Sequence, residues 1–280
     1  MFVLLAIGVH ERPPNIAVDS SSLDYFRQQR QDGSWLMVLR LRQRGLEAVF
    51  GRLCQDLLDA ASQVESEKLL IALFKDRLNL WKRLFQQGGS GLLQLHQIKG
   101  LIAELLVMES LIESEGRDML ETISGWSGPL GADQDFLFSD AAVEVKAIGP
   151  ATEDVSISSL QQLDCGMPMR IAVIMLRSAT PGEHGALNLN SLVARIEGSI
   201  SASPVALSLF KERLLEACYV EHDFYDTVLF EPISHLSYVV GEGFPKLTGS
   251  MVPAGIVRAT YAIALNAIDS FKVSEGSGHG

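Results

Sequence analysis

The chain has 280 residues, of which 47% are hydrophobic and 20% charged, and its formal net charge is −11. These values exclude a disordered chain, allow a large core, and argue against a surface that binds nucleic acid throughout. The opening segment "MFVLLAIGV" is too short to span a bilayer and has no basic leader, so we expect a cytoplasmic protein without a membrane partner. The cysteines are scattered and favour reduced thiols over a disulfide framework or a zinc site: Cys54, Cys165 and Cys218.

Acidic groups are concentrated in the middle of the chain. Residues 92–176 contain 4 basic and 13 acidic side chains, whereas residues 1–91 contain 12 and 10 and residues 177–280 contain 7 and 11. A concentration of carboxylates suits a divalent cation. Contacts to phosphate groups would come from basic residues of the N-terminal third, for which an ordinary solvated face is the alternative: Arg40, Arg42, Arg44, Lys75, Arg77, Lys82 and Arg83.

Residues 1–91 are predicted to form strands followed by helices. Apolar patterns predict strands at "FVLLAIGV" and "WLMVLRLR", separated by a connection that is rich in Pro and Ser. A helix is expected from about Leu46 to Gln63. The segment "SEKLLIALFKDRLNLWKRLFQQGG" predicts a second helix that ends at Gly88 and Gly89.

Residues 92–178 are predicted to follow the order helix, three strands, helix, strand. The first helix covers "SGLLQLHQIKGLIAELLVMESLIES", and Glu104 lies on its apolar stripe, where an acid breaks the pattern. The three strands are predicted at "TISGW", "QDFLFS" and "AAVEVKAI". Serines in "VSISS" would cap a helix at "LQQLD", and "MRIAVIMLR" indicates a strand in the middle of a sheet that is covered on both faces.

Residues 179–272 are predicted to form an α/β elaboration that packs on this core. Helices are expected near residues 190–200 and 204–217, strands at "TVLFEPI" and "HLSYVVG", a loop at "GFPKL" and a last strand at "GIVRATYAIAL". Residues 273–280 are predicted to be a disordered tail. Because no sharp linker separates these regions, we expect one compact unit with lobes.

Charged residues interrupt the apolar segment "GADQDFLFSDAAVEVKAIG". Glu144 and Lys146 share one face of a predicted strand, yet the flanking residues are apolar, which predicts that both side chains point into a partly enclosed place. Burying an unpaired carboxylate costs several kcal/mol. A hairpin would bring Asp135 beside Glu144, with Asp133 as the alternative acid. The segment is therefore either an amphipathic hairpin with an ion pair or a metal site.

A metal site of this composition would suit Mg²⁺, with Mn²⁺ as a substitute. The expected ligands are the carboxylates of Asp135 and Glu144 and the backbone carbonyl of Val145. Glu104 would hold a second ion through water or position the other ligands. Lys146 would orient an attacking water or stabilise a pentavalent transition state. The chemistry that this set of groups supports is hydrolysis of a phosphodiester.

The pattern of one Asp, eight residues, then Glu-x-Lys resembles the PD-(D/E)XK nuclease superfamily. Around it, "GLIAELLVMESLI", "GWSGPLGADQDF", "VEVKAI" and "ISSLQQLD" resemble motifs of a bacterial family within that superfamily, and "FPKL" and "GIVRATYAI" extend the likeness to about residues 35–272. The resemblance implies an α/β fold with a restriction-endonuclease-like core, a helical and β N-terminal region and an α/β C-terminal elaboration. The site residues that it implies are Asp135, Glu144, Lys146, Glu104 and Gln162.

The chain departs from the family pattern in few places. Ala103 stands where that family tends to have glycine, and the usual proline before the first aspartate is absent. Trp126, Gly128 and Pro129 are expected to shape the turn before the second strand of the core.

The resemblance also implies a function. It predicts a Mg²⁺-dependent endonuclease that acts on DNA in restriction or phage defence, with other defence proteins as partners. An RNA substrate and a homodimer both stay open. The alternative is a catalytically silent subunit with the nuclease fold that binds DNA or a partner protein, and the acidic composition favours that alternative.

Overall fold

Two compact units make up the chain. The computed structural model describes residues 3–18, 21–62, 64–86 and 92–273. One unit comprises residues 1–93 together with 218–222, and the other comprises residues 94–217 and 223–280. All the candidate site residues lie in the second unit.

The N-terminal unit contains an antiparallel sheet and two helices. Its strands are β1 (Val3–Val9), β2 (Leu23–Gln29) and β3 (Trp35–Leu41), in the order β1-β3-β2. The helices α1 (Glu47–Ala61) and α2 (Glu67–Gln86) follow. The predicted strands and helices form, although the glycines expected to end the second helix lie outside the described residues. Strand β2 is not among the predicted strands. Its sequence "LDYFRQQ" is mostly polar, and only its leucine is fully buried.

Three of the basic residues that were candidates for phosphate contacts form ion pairs within this unit. Arg40 and Arg42 both contact Asp24, and Arg77 Nη1 lies 3.5 Å from Asp56 Oδ1. The charge of these three arginines is therefore partly neutralised by two acids, Asp24 and Asp56. The side chains of residues 82 and 83 lie outside the described residues.

A four-stranded sheet forms the centre of the second unit. The elements in chain order are α3 (Leu95–Glu109), α4 (Met119–Gly125), β4 (Phe136–Leu137), β5 (Ala142–Ile148), β6 (Asp154–Ile157), β7 (Met169–Ser178), α5 (Leu189–Ile200), α6 (Pro204–Glu216), β8 (Phe230–Val239) and β9 (Tyr261–Ala264). The sheet order is β4-β5-β7-β8, with β5 and β7 parallel and the outer pairs antiparallel. β6 pairs with β9 in a separate antiparallel ribbon.

The central position of β7 follows from its sequence, which is almost continuously apolar. Ile171, Val173 and Ile174 are buried, as expected for a strand that is covered on both faces. Helix α3 packs against β5 and buries Leu101, Leu105 and other residues of its apolar stripe. The predicted α/β class is confirmed.

Two elements of the predicted core are wrong. The segment "TISGW" belongs largely to α4 rather than to a strand, because the Asp118 side chain caps the helix and accepts a hydrogen bond from the N–H of Glu121 at 2.9 Å. The segment "LQQLD" forms turns rather than a helix. Leu160 and Leu163 are both buried there, so the short segment is held by its side chains and not by a helical hydrogen-bond ladder.

The C-terminal strands also differ from the prediction. "TVLFEPI" and "HLSYVVG" contribute to one strand, β8, which carries a bulge opposite Met175 and Leu176. Pro232 pairs with Leu176 in this edge strand, where a residue without an N–H is tolerated. The last strand, β9, is shorter than "GIVRATYAIAL" and covers only four of its residues.

In the described ranges, none of the helices has both the length and the apolar character that a membrane span requires. Of the predicted tail, residue 273 pairs through its N–H with the carbonyl of Ser237 at 2.8 Å. Residues 274–280 lie outside the described residues.

Candidate active site

Strand β5 places Glu144 and Lys146 on the same face, because side chains alternate along a strand. Glu144 is only 2% exposed, and its Oε1 lies 2.7 Å from Lys146 Nζ. Lys146 Nζ also donates to Gln162 Oε1 at 3.3 Å. The ammonium therefore bridges the buried carboxylate and the amide of Gln162.

Asp135 reaches the same strand from its edge. Strand β4 pairs with β5 only at Ala142 and Val143, so the edge of β5 beyond them has no strand partner in β4. The Asp135 Oδ2 atom fills this gap by accepting a hydrogen bond from the N–H of Val145 at 2.7 Å. The N–H and C=O of one strand residue point to the same side, so the Val145 carbonyl faces the edge on which Asp135 lies.

The segment from Trp126 to Gly128 holds both Glu104 and Asp135. The indole Nε1–H of the fully buried Trp126 donates to Glu104 Oε2 at 2.7 Å. The N–H groups of Ser127 and Gly128 donate to the carbonyl of Asp135 at 2.8 and 3.0 Å. These residues are therefore more than a turn: they fix one acid from α3 and one from the start of β4.

Gly128 borders the space between these two acids. A Cβ atom at this position would lie 2.8 Å from Asp135 Oδ1 and 3.3 Å from Glu104 Oε2. Both carboxylate oxygens therefore line one small volume that is open only because residue 128 has no side chain. The requirement is steric, and no unusual backbone angle is involved.

The turn from residue 158 to residue 164 supplies Gln162. Its Oε1 accepts from the N–H of Ser158 at 2.7 Å, and its own N–H donates to Ser159 Oγ at 3.2 Å. The buried amide of Gln134 donates to the carbonyls of Gln161 and Gln162 at 2.9 and 3.3 Å. Because Gln134 directly precedes Asp135, this contact ties the turn to the acid.

Removal from water dominates the electrostatics of the three acids. Burial, then the nearby charge of Asp135, raises the pKa of Glu144 to about 8, and Lys146 only partly opposes this. Burial, then Asp135, also raises the pKa of Glu104 well above its ordinary value, against the hydrogen bond from Trp126. Burial raises the pKa of Asp135, against the N–H of Val145 and the charge of Lys146.

The oxygen atoms of this cluster suit a hard divalent cation. Glu144 Oε2 is buried and has no hydrogen-bond partner among the described residues, and Asp135 Oδ1 faces the space beside Gly128. Carboxylate and carbonyl oxygens are the ligands that Mg²⁺ uses in proteins. In the described ranges, however, no group of three or more His, Cys, Asp and Glu side chains is arranged so that it could hold a metal directly. Lys146 and the N–H of Val145 each contact one carboxylate oxygen of the cluster.

The five residues implied by the resemblance form one connected set, whereas Asp133 is exposed and contacts none of them through a hydrogen bond recorded in the described residues. The sequence interpretation missed the roles of Trp126, Ser127 and Gln134. A signal existed for Gln134, which directly precedes Asp135, and for Trp126, which stands in the motif "GWSGPLGADQDF", but nothing in the sequence shows which groups their side chains reach.

Comparison with known proteins decides the family. The model of the family DUF4420, described as "Putative PD-(D/E)XK family member", matches residues 3–266. The chain belongs to this family. The predicted resemblance to the PD-(D/E)XK superfamily is thereby confirmed, together with the restriction-endonuclease-like class of the fold. Searches of curated proteins and of solved structures each found no match.

The raised pKa of Glu144 predicts a pH-dependent stability. Between the ordinary pKa of 4.5 and the folded value of about 8, the folded state binds more protons than the unfolded state, so the free energy of unfolding falls as the pH rises. In EDTA, urea titrations should show that the free energy of unfolding of the wild type falls between pH 5.5 and pH 8. In Glu144→Gln this fall should be smaller by on the order of 1–3 kcal/mol.

The matched control is Glu183→Gln, because the pKa of Glu183 is lowered, chiefly by its hydrogen bond with Thr180. Glu183 stays ionised in both states over this pH range, so its variant should keep the wild-type slope. An unchanged slope in Glu144→Gln would contradict the raised pKa.

Gly128→Ala should disturb the acids without unfolding the protein. The new Cβ would meet Asp135 Oδ1 at 2.8 Å, so that carboxylate must move. We expect Mn²⁺ affinity, measured by titration calorimetry, to fall about 10-fold or more. Gly166→Ala is the control, since nothing lies within 4 Å of its added Cβ. Equal Mn²⁺ affinity in the two variants would contradict the steric role of Gly128.

Proposed function

We propose that the chain is a metal-dependent endonuclease that hydrolyses phosphodiester bonds in DNA. The observation that carries this proposal is the buried Glu144, which has one oxygen on Lys146 and the other without a partner in the part of the chain that the structure describes. A buried carboxylate in this state is costly unless a proton or a cation neutralises it. Membership of the PD-(D/E)XK family supports the same reaction class.

The residues that would hold Mg²⁺, or Mn²⁺ in its place, are Asp135 and Glu144 through their carboxylates and Val145 through its carbonyl. Glu104 would contribute through water or hold a second ion. When bound, such an ion would lower the pKa of a coordinated water molecule and would neutralise negative charge on the phosphoryl oxygens. The unpartnered oxygen of Glu144 and the open space beside Gly128 support this donor set.

Lys146 provides a positive charge at the site that does not depend on a bound ion. Its ammonium donates to Glu144 and Gln162, and a third N–H remains for the attacking water or a phosphoryl oxygen. In the hydrolysis, a water molecule gives up one proton as its oxygen bonds to phosphorus, the bond from phosphorus to one sugar oxygen breaks, and that sugar oxygen takes up a proton in exchange. Gln162 orients the lysine through the contact at 3.3 Å. The donated hydrogen bonds stabilise charge that develops on the phosphoryl group.

The wider role and organisation belong to the same proposal. Residues 92–178 contain all five site residues and would form the catalytic core, with residues 1–91 and 179–272 as accessory regions and residues 273–280 as a tail. The biological setting would be restriction or phage defence in the cytoplasm. Other defence proteins are the expected partners, and a homodimer is a further option.

A silent subunit that binds DNA or a protein is the second candidate. It is favoured by the contacts of the cluster, since Lys146 neutralises Glu144 and the N–H of Val145 satisfies Asp135 without an ion. It is also favoured by the finding that no ready-made metal group occurs in the described parts of the chain. Metal-dependent cleavage distinguishes the two candidates.

Lys146→Met should abolish plasmid nicking in Mg²⁺ or Mn²⁺. Loss of the ammonium removes the charge that stabilises the transition state, and we expect a decrease of at least about 100-fold. The methionine keeps most of the side-chain volume, and a thermal melt verifies folding. Lys211→Met is the control, because Lys211 is exposed on α6 and lies 4.0 Å from Glu197.

Equal nicking by wild type and Lys146→Met would point to a contaminating nuclease and contradict the assignment. A folded wild-type protein that never nicks DNA with either metal would favour the silent subunit.

A further inference from the structure

One stretch of this acidic chain carries no acid. Residues 243–268 contain neither Asp nor Glu, whereas about three would be expected from the 34 acids in 280 residues. The charged residues of the stretch are Lys246 and Arg258. Among the residues that the structure describes, neither of these two forms an ion pair. The stretch itself therefore carries two positive charges and no negative one, in a protein whose net charge is −11.

The part of this stretch from residue 246 to residue 258, here termed the 246–258 loop, also exposes aliphatic side chains. Val257 is 88% exposed, Met251 62% and Ile256 46%. The loop contains a single 3₁₀ turn, Gly249–Met251, so most of its backbone follows no regular element. Three strongly exposed apolar side chains within seven residues, with a cation near each end of the loop, suit an interaction surface.

Hydrogen bonds connect this loop to the candidate active site. Just after the loop, Thr260 Oγ1 donates to the carbonyl of Ser158 at 3.3 Å. The N–H of Ser158 donates in turn to Gln162 Oε1, which accepts from Lys146 Nζ. Within the loop, the N–H of Gly249 donates to Asp164 Oδ2 at 3.4 Å. The loop is thus anchored at both ends to the turn that carries Gln162.

We propose that the 246–258 loop is a DNA-contact surface beside the scissile bond. This inference rests on the proposed function and names the part of the chain that holds its substrate. Lys246 and Arg258 contact backbone phosphates, which attract cations over several ångströms. Met251, Ile256 and Val257 lie against the sugars and base edges of the minor groove, where aliphatic side chains are commonly inserted.

The charge distribution favours a polyanion over other partners. The middle third of the chain, with 13 acidic and 4 basic groups, repels phosphate, so a substrate that reaches the site needs a local cationic surface. The loop provides such a surface and is linked to Lys146 by hydrogen bonds through Ser158 and Gln162. A membrane surface or a partner protein would meet the same side chains, and the experiment separates these cases.

The test measures binding and not cleavage. The affinity of the full chain for a labelled DNA duplex of roughly 20 base pairs is measured by fluorescence anisotropy. The measurement is made in EDTA and at several salt concentrations. Arg258→Glu should raise the Kd about 10-fold and reduce the slope of log Kd against log salt by about one, because one phosphate contact is lost. Val257→Ser should raise the Kd several-fold and leave the slope unchanged.

Each variant has a matched control on α6. Lys211→Glu reverses a cation that is also exposed, and Val205→Ser changes a valine that is 65% exposed. Both controls should stay within about twofold of the wild-type Kd, since single surface changes away from an interface have little effect. Thermal melts verify that every variant is folded.

The outcomes separate this inference from the proposed function. Loop-dependent binding without any nicking in Mg²⁺ or Mn²⁺ would support the loop and overturn the nuclease. Nicking with equal DNA affinity in Arg258→Glu and Lys211→Glu would overturn the loop and support the nuclease. Wild-type binding to vesicles of phosphatidylcholine and phosphatidylserine, or to a protein, with none to DNA, would overturn the loop as a DNA surface.

Discussion

Three carboxylates that are withdrawn from water around one ammonium are the constraint on which this structure depends. Glu104 comes from α3, Asp135 from the start of β4 and Glu144 from β5, while Lys146 is the cation that contacts the group. Burial raises the pKa of each acid, and the charge of Lys146 only partly opposes this. The cluster therefore has to take up protons or a further cation. A divalent ion would meet that need, and the need is most evident at Glu144 Oε2, which has no partner within the described ranges.

Much of this site follows from residue patterns. The period of two in "AAVEVKAI" places Glu144 and Lys146 on one face, and their apolar flanks indicate that this face is enclosed. Glu104 stands out because it breaks the apolar stripe of α3. These inferences hold because they depend on local periodicity, which the backbone of a strand or helix imposes directly. The buried central strand β7 is predictable for the same reason, since a strand covered on both faces needs a continuous apolar run.

Other features depend on contacts that no local pattern encodes. The indole of Trp126 reaches Glu104 across 22 positions of sequence, and the amide of Gln134 reaches the turn at Gln161 across 27. The prediction of secondary structure fails where a short segment has competing signals. "TISGW" has β-branched and aromatic residues, yet the cap at Asp118 starts a helix that includes most of it. β8 continues through Pro232, which suggests a break in sequence, because a bulge in an edge strand accommodates it.

The central claim is that Asp135, Glu144 and the carbonyl of Val145 can hold one divalent ion together. Anomalous diffraction from crystals soaked in Mn²⁺ tests this claim most directly, because it locates the ion without reference to activity. The account predicts one strong peak that is bounded by the carboxylates of Asp135 and Glu144 and the carbonyl of Val145, and no peak there in crystals of Asp135→Asn. Well-diffracting wild-type crystals with no peak at this position, or with the three groups turned away from one another, would contradict it.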